Sequence, residues 1–314
     1  MPSKKSPIRP GLFKLLKTPR GILENFKKTW RTKADSFHWP ENTKRSRLSM
    51  HETLEFLNVT TKDLSHVSYL CLWGVGKKQK AAMKEHMERR LTWIEEMFQQ
   101  GLEIVVALGP QKSRKGLIEY LPIDVAPEPV KGQDSLFLNC IWVLPRFQKT
   151  GLGKRLMHHF LNRAKKVGGA SVLAYEGDKW FGYFNYMPTT FFNRFGFKEV
   201  SRDETRVLLH LDLGAQRTPE LLLPQSQRIA KKARTAVDVF CNSQCPWSGW
   251  MADEVSRNAK SSSIMLRRIC TDSREAIEEV GLARGISVNG RPVIKRMAAW
   301  KEIKSALEKS TNSN

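Results

Sequence analysis

The sequence predicts an α/β protein in two parts, a mixed sheet with flanking helices over residues 50–213 and a smaller α/β unit over 236–314. Three observations carry this. Strand-like apolar runs alternate with helical spacing along both parts. A polar, basic stretch at 214–235, with Pro219 and Pro224, separates them like a linker. The length, 314 residues, suits two domains better than one.

Residues 1–49 read as a basic extension. Residues 1–50 hold 13 of the 53 Lys and Arg but only 3 of the 31 Asp and Glu, so a large share of the formal +22 lies there. Pro2, Pro7, Pro10 and Pro19 interrupt any early helix. A targeting segment, an arm for nucleic acid or acidic lipid, and a solvated tail all fit this composition, and weak polyanion binding is the shared expectation. Met50 opens the first globular-looking stretch and is a possible alternative start.

The elements come in a regular order. Phe56–Val59 is a short strand, with Thr60 or Thr61 placed to cap the helix after it. Met83, Met87, Leu91, Ile94 and Phe98 recur at helical spacing and predict one helix over 78–100, stopped by Gly101. Strands come next at Leu102–Leu108 and Lys115–Leu121. After a proline-rich loop, Leu136–Val143 reads as a buried strand. Gly151–Val167 is a helix with Leu152, Leu156, Phe160, Ala164 and Val167 on its apolar face, which leaves His158 and His159 to solvent. Ala170–Tyr175 and Arg206–Leu213 are strands. The second part runs strand (Ala236–Phe240), helix (about 248–259), strand (Ser263–Arg267), helix (about 273–280), strand (Gly285–Val288) and helix (Ala298–Leu307).

Other features narrow the class. No apolar run approaches the roughly 18 residues of a membrane-spanning helix. Five scattered cysteines do not make a disulfide framework, which favours a reducing compartment and a cytoplasmic address. Cys241 and Cys245 are spaced Cys-x3-Cys without a second pair, so no metal site is expected.

The most informative stretch is the strand Leu136–Val143, then Gln148-Lys-Thr-Gly-Leu-Gly-Lys154 and a helix. A glycine turn opening a helix aims backbone N–H groups and the positive helix end at one point, which is an anion site. Gly151 and Gly153 let a phosphate approach, and Lys149 and Lys154 add charge.

Gln148-x-x-Gly151-x-Gly153 resembles the acetyl-CoA signature of the GNAT acyltransferases, and Thr190–Phe197 resembles their second landmark. Gly116–Pro122, Leu138–Val143 and the C-terminal Cys-Pro unit resemble acetyltransferases with a YoaP-like C-terminal domain. The resemblance implies an acetyl-CoA-dependent N-acetyltransferase acting on an amine that the sequence does not identify. It places pantetheine along Ile141, Trp142 and Val143, and pyrophosphate on the amides of Gln148, Lys149, Thr150, Gly151, Leu152, Gly153 and Lys154. The strand carboxylate of some relatives is missing, and Phe192 stands where many carry a tyrosine. Glu119 is the candidate base or water-orienting group, against a surface-facing strand residue or a structural hydrogen-bond partner. Asn139 is either a substrate contact or a satisfied core polar group. Tyr183 or Tyr186 is a candidate proton donor to the leaving thiolate.

Cys245-Pro-Trp-Ser248 resembles a single-thiol glutaredoxin motif at a helix start, which implies a thioredoxin-like fold and a lowered thiol pKa. Cys241 is the candidate resolving thiol. Arg284 stands where such enzymes carry a cis-proline, which argues against redox turnover. A CoA-fold binding protein and a single-thiol redox protein remain the competing classes.

Overall fold

The computed structural model describes residues 53–314 except 73–74, 177–178, 181–183, 215–216, 227–234, 260–263 and 313–314. The basic extension, Met50 and Tyr183 therefore lie outside the described residues. β1 (Glu55–Asn58), α1 (Leu64–Val67), α2 (Lys77–Ala82) and α3 (Lys84–Phe98) come first. β2 (Glu103–Leu108), β3 (Arg114–Pro122), β4 (Val130–Lys131) and β5 (Leu136–Val143) are next, then α4 (Leu152–Ala164) and β6 (Gly169–Tyr175). The short strands β7 (Lys179–Trp180) and β8 (Phe184–Asn185) precede α5 (Thr189–Asn193), β9 (Lys198–Asp203), β10 (Arg206–Asp212) and β11 (Glu220–Leu221). The remainder is β12 (Thr235–Cys241), α6 (Pro246–Ala259), β13 (Ile264–Cys270), α7 (Arg274–Val280), β14 (Gly285–Val288), β15 (Arg291–Ile294) and α8 (Trp300–Asn312).

Seven strands form the first sheet in the order β1-β2-β3-β5-β6-β10-β9. Only β5 and β6 run parallel in it, joined through α4. The second sheet has the order β13-β12-β14-β15, with β12 and β13 parallel and the other pairs antiparallel.

Several local outcomes differ from the periodicity. The helix expected over 78–100 is two helices, because Met83 leaves helical geometry (φ −95°, ψ 4°) and buries its side chain against Leu72 and Met87. α4 ends at Ala164, so Val167 is exposed rather than part of the apolar face. His159 is half-buried and its ring lies 4.4 Å from that of Phe56. In the expected linker, β11 pairs with β4, and Leu222 N–H donates to Pro129 O.

The two sheets are not independent. Leu48–Asn314 is one compact unit, and a single apolar core takes in Ile118 and Leu138 of the first sheet with Val237 and Ile286 of the second. α6 packs on α3 so closely that a Cβ at Gly249 would lie 2.4 Å from the His86 ring, an approach only glycine allows. His86 Nε2 and Asp253 Oδ2, 2.7 Å apart, tie the same two helices. Among the described residues, no helix is long and apolar enough to cross a membrane.

Candidate active site

β5 and β6 form a fork. They pair only at Leu136–Ala170, Phe137–Ser171 and Leu138–Val172, after which the strands separate. Cys140 through Val143 are half-buried beside the opening. Asn139 is a bulge residue: Glu119 pairs with Cys140 and Tyr120 with Leu138, which leaves Asn139 without a partner across the ladder. The far prong is braced by Tyr175 N–H donating to Met187 O at 3.1 Å. The next residue back, Tyr186, hydrogen-bonds through its hydroxyl to the Cys140 thiol and so spans the fork. Burial pushes both the Tyr186 and Cys140 groups upward, so both are protonated at neutral pH.

The glycine loop lies at the end of β5. Gln148 Nε2 donates to Val143 O (3.0 Å) and Thr150 Oγ1 to Phe147 O (2.6 Å), which fixes the loop to the strand. Lys149 (φ +61°) and Gly151 (φ +88°) take left-handed geometry. Gly151 is the N-cap of α4 with no side-chain cap and no acidic residue in the first turn, so the positive helix end is uncompensated. A Cβ built on Gly151 would meet nothing within 4 Å. The loop is thus an open cradle of backbone donors and fits a phosphate group.

The register sets what faces the fork. Tyr120 points to the α4 side, where its ring lies 5.3 Å from that of Phe160. Glu119 and its partner Cys140 point to the opposite face, toward α3. There Glu119 is fully buried and ion-paired with Arg90 of α3, and Asn139 Nδ2 approaches its Oε2 at 3.4 Å. Asn139 Oδ1 is buried with no hydrogen-bond partner among the described residues. Arg90 also donates to Gln244 O, in the turn before α6. Gln244 Oε1 accepts from Arg284 (3.1 Å), and Arg284 pairs with the buried Glu128 (2.6 Å). Two buried ion pairs therefore hold one turn of the C-terminal part against the fork.

The sequence brought Glu119 and Asn139 into view but missed Arg90, Glu128 and Gln244. Arg90 had a signal: it falls three residues after Met87 and four before Ile94, on the apolar stripe of its helix. Phe192, fully buried with edge contacts to Phe191 and Phe197, is core.

Cys245 precedes α6 as expected, but its thiol pKa is raised, not lowered. Burial is the larger effect and outweighs Arg284, Arg90 and the nearby backbone N–H groups of Trp247 and Ser248. Cys245 shares a cavity of about 200 Å³ with Cys241, Cys270, Arg268 and His86. Arg268 Nε donates to Cys241 Sγ at 3.4 Å, yet burial also raises that thiol. Cys71 is pushed up to about 12 by burial. No group of three or more His, Cys, Asp or Glu among the described residues is arranged to hold a metal ion.

Comparison with known proteins bears on this site. The chain is 24% identical over 224 residues to the uncharacterized N-acetyltransferase YoaP of Bacillus subtilis, covering 70% of this chain and 84% of that protein. A putative GNAT-family acetyltransferase from Desulfovibrio desulfuricans shares 18% identity over 51% of this chain and 99% of its own, with a TM-score of 0.38. A GNAT-family acetyltransferase from Brucella melitensis, solved with acetyl-CoA, shares 15% identity over 54% of this chain and 93% of its own, with a TM-score of 0.34. Residues 79–180 match the acetyltransferase (GNAT) family, a span that holds α3, the fork strands and the glycine loop. The chain thus shows homology to YoaP, and residues 79–180, which hold the fork and the glycine loop, match the acetyltransferase (GNAT) family in sequence and fold.

Proposed function

We propose that the chain transfers the acetyl group of acetyl-CoA to an amine by direct attack at the β5–β6 fork. The observation that carries this is the fork itself. Two parallel strands separate after three pairs, and the glycine loop at the end of one of them presents an uncapped helix start. In this reading the CoA phosphates lie on the amides from Gln148 to Lys154, and the pantetheine arm runs along Ile141, Trp142 and Val143.

The reaction needs an amine with its lone pair free, so a proton must leave the ammonium before or during attack. Glu119 Oε1 is taken by Arg90, while Oε2 has only the long contact from Asn139. That oxygen is the acceptor for an ammonium proton, directly or through one water. Asn139 Oδ1, without a partner among the described residues, holds the incoming N–H. As the carbonyl carbon takes the new C–N bond, the C–S bond breaks and the thiolate needs a proton. Tyr186, protonated and beside Cys140 at the fork, is read as its donor. Holding the amine beside the thioester supplies much of the remaining acceleration.

The C-terminal part is read as a thioredoxin-like accessory unit. Supporting this are its strand order, with one parallel pair joined through α6, and Cys245-Pro246 at the start of that helix. The buried, raised thiol at Cys245 favours a structural over a redox role for it.

Amine-dependent release of CoA thiol, with acetylated product read by mass spectrometry, tests the proposal. Glu119→Gln keeps a hydrogen-bond partner for Arg90 and removes the proton acceptor. Its kcat is expected to fall about 10²- to 10⁴-fold, with the acetyl-CoA KM little changed. Unaltered turnover in a folded Glu119→Gln variant would remove Glu119 from the mechanism.

A further inference from the structure

We propose that the cavity beside the start of β3 is the acceptor subsite and selects an amine that also carries a carboxylate or phosphate. This rests on the acetyl-transfer reading of the fork. The cavity measures about 250 Å³ and is lined by Tyr69, Leu70, Lys80, Arg114, Leu144 and Arg146. Three of those six side chains are cationic and none is acidic.

Among the described residues the charge there is uncompensated. Arg114 donates to the carbonyls of Ser65 (3.0 Å) and Ser68 (2.5 Å), which orients the guanidinium without neutralising it. Arg146 lies over the Phe147 ring at 4.7 Å. Among the described residues no carboxylate pairs with Lys80, Arg114 or Arg146. By contrast, the arginines around the fork, Arg90, Arg206 and Arg284, each have a carboxylate partner. A concave site with three cations and no counter-charge fits an anionic group, and its guanidinium groups suit the flat fork of a carboxylate or phosphate.

The position ties the cavity to the fork. Leu108 pairs with Arg114 and Val106 with Leu117, so Arg114 shares a face with Leu117 and Glu119. Leu144 N–H donates to Lys115 O at 2.9 Å, which joins the end of β5 to β3 at the cavity rim. Leu70 lines the cavity, while its neighbour Cys71 feels the charges of Arg90 and Glu119. From Val143 to Cys140 is three residues of strand, roughly 10 Å. An acceptor whose anion rests in the cavity therefore reaches the fork with an amine several bonds away, as in an ω-amino acid or a short acidic peptide. The glycine loop caps α4, which packs on the opposite face, and no residue from Gln148 to Lys154 lines the cavity.

The test compares acceptors matched except for charge: 6-aminohexanoate with its amide, 6-aminohexyl phosphate with 6-aminohexanol, and an acidic dipeptide with its amide, with spermidine as the cationic control. In the unaltered full chain the anionic members are expected to show kcat/KM at least about tenfold above their neutral partners, what a charge-assisted hydrogen bond contributes in a partly enclosed site. The Lys80→Met/Arg146→Met double variant, which leaves Arg114 and its carbonyl partners in place, should bring that ratio near one by raising acceptor KM, with acetyl-CoA KM unchanged. Preference for neutral amines or spermidine overturns the proposal, as does a ratio that survives the double variant. A rise in acetyl-CoA KM instead would assign the cavity to the CoA phosphates and equally overturn it. If no acceptor turns over, calorimetry of the same pairs against CoA-saturated protein decides: binding of the anionic members alone supports the subsite, and binding of neither or both overturns it. A charge ratio of one with acetyl-CoA turnover intact counts against the subsite only, whereas absence of acetyl-CoA binding brings down the underlying reading as well.

Discussion

At the scale of single residues, Cys245 shows how burial and a helix start compete for one thiol. The N–H groups of Trp247 and Ser248 and two buried guanidinium groups lie near it, all favouring thiolate. Loss of solvent is larger, and the thiol rises above its ordinary value. The thiolate fraction at pH 7 is therefore below that of a free cysteine. Alkylation by iodoacetamide at pH 7 is expected to be slower at Cys245 than for a small free thiol, with the rate still climbing beyond pH 9. Mass spectrometry of the alkylated peptide reads this, and rapid labelling at pH 7 would contradict it. Because attack by the amine needs no acyl-enzyme, Cys245→Ser should retain acetyl transfer, a result the same turnover assay checks.

At the scale of elements, the glycine loop carries the sharpest expectation. Gly151 has open space before its Cα and a φ of +88°. A valine there projects its branched side chain into the phosphate cradle and is also strained in that geometry. Gly151→Val is expected to lose acetyl-CoA affinity by at least about a hundredfold by calorimetry. Gly153→Ala probes the second glycine of the loop: its Cβ meets only Phe191 at 3.5 Å, so the fold accommodates it and a loss of affinity there reports on the cradle. Retained affinity in a folded Gly151→Val would refute the loop as the CoA site. The elements of this region were legible because each has a local cause. Leu136–Val143 is an apolar run closed by Pro145, and the structure starts and ends β5 at those residues. β14 likewise spans Gly285–Val288 as expected. The break at Met83 was not legible, because it depends on Leu72, brought near only by the tertiary fold. β15 was missed because Pro292 reads as a turn residue, whereas here it stands in an edge strand. Glu119 and Asn139 were visible as polar residues in apolar strands. Arg90 left only its place on the apolar stripe of α3 as a mark, while its pairing with Glu119 across 29 positions and with Gln244 across 154 left none.

At the scale of the whole molecule, the C-terminal part is keyed to the first sheet by charge inside a shared core. Arg284 and Glu128 are both buried and 2.6 Å apart, and Arg284 also holds Gln244, whose carbonyl receives Arg90. Removing one member of such a pair strands the other charge, a cost of about 3–5 kcal/mol. Arg284→Met should therefore lower Tm by roughly 10 °C, given about 2–4 °C per kcal/mol for a chain of this size. The melt should remain one cooperative transition for the two sheets. The pH dependence comes from Glu128, whose carboxyl burial already raises against the opposing effect of Arg284. Without the guanidinium the rise grows, so the folded state holds this proton to higher pH than the unfolded chain does. An acid raised in the folded state costs stability as pH rises through its folded value and costs little once protonated. The deficit of Arg284→Met relative to the unaltered protein should thus shrink on going from pH 8 to pH 5. Pairing it with Glu128→Leu should recover most of the loss at pH 8, because a packed apolar pair replaces a stranded charge. Two separate melting transitions, or a deficit that stays constant from pH 8 to pH 5, would show that this buried pair does not couple the two parts.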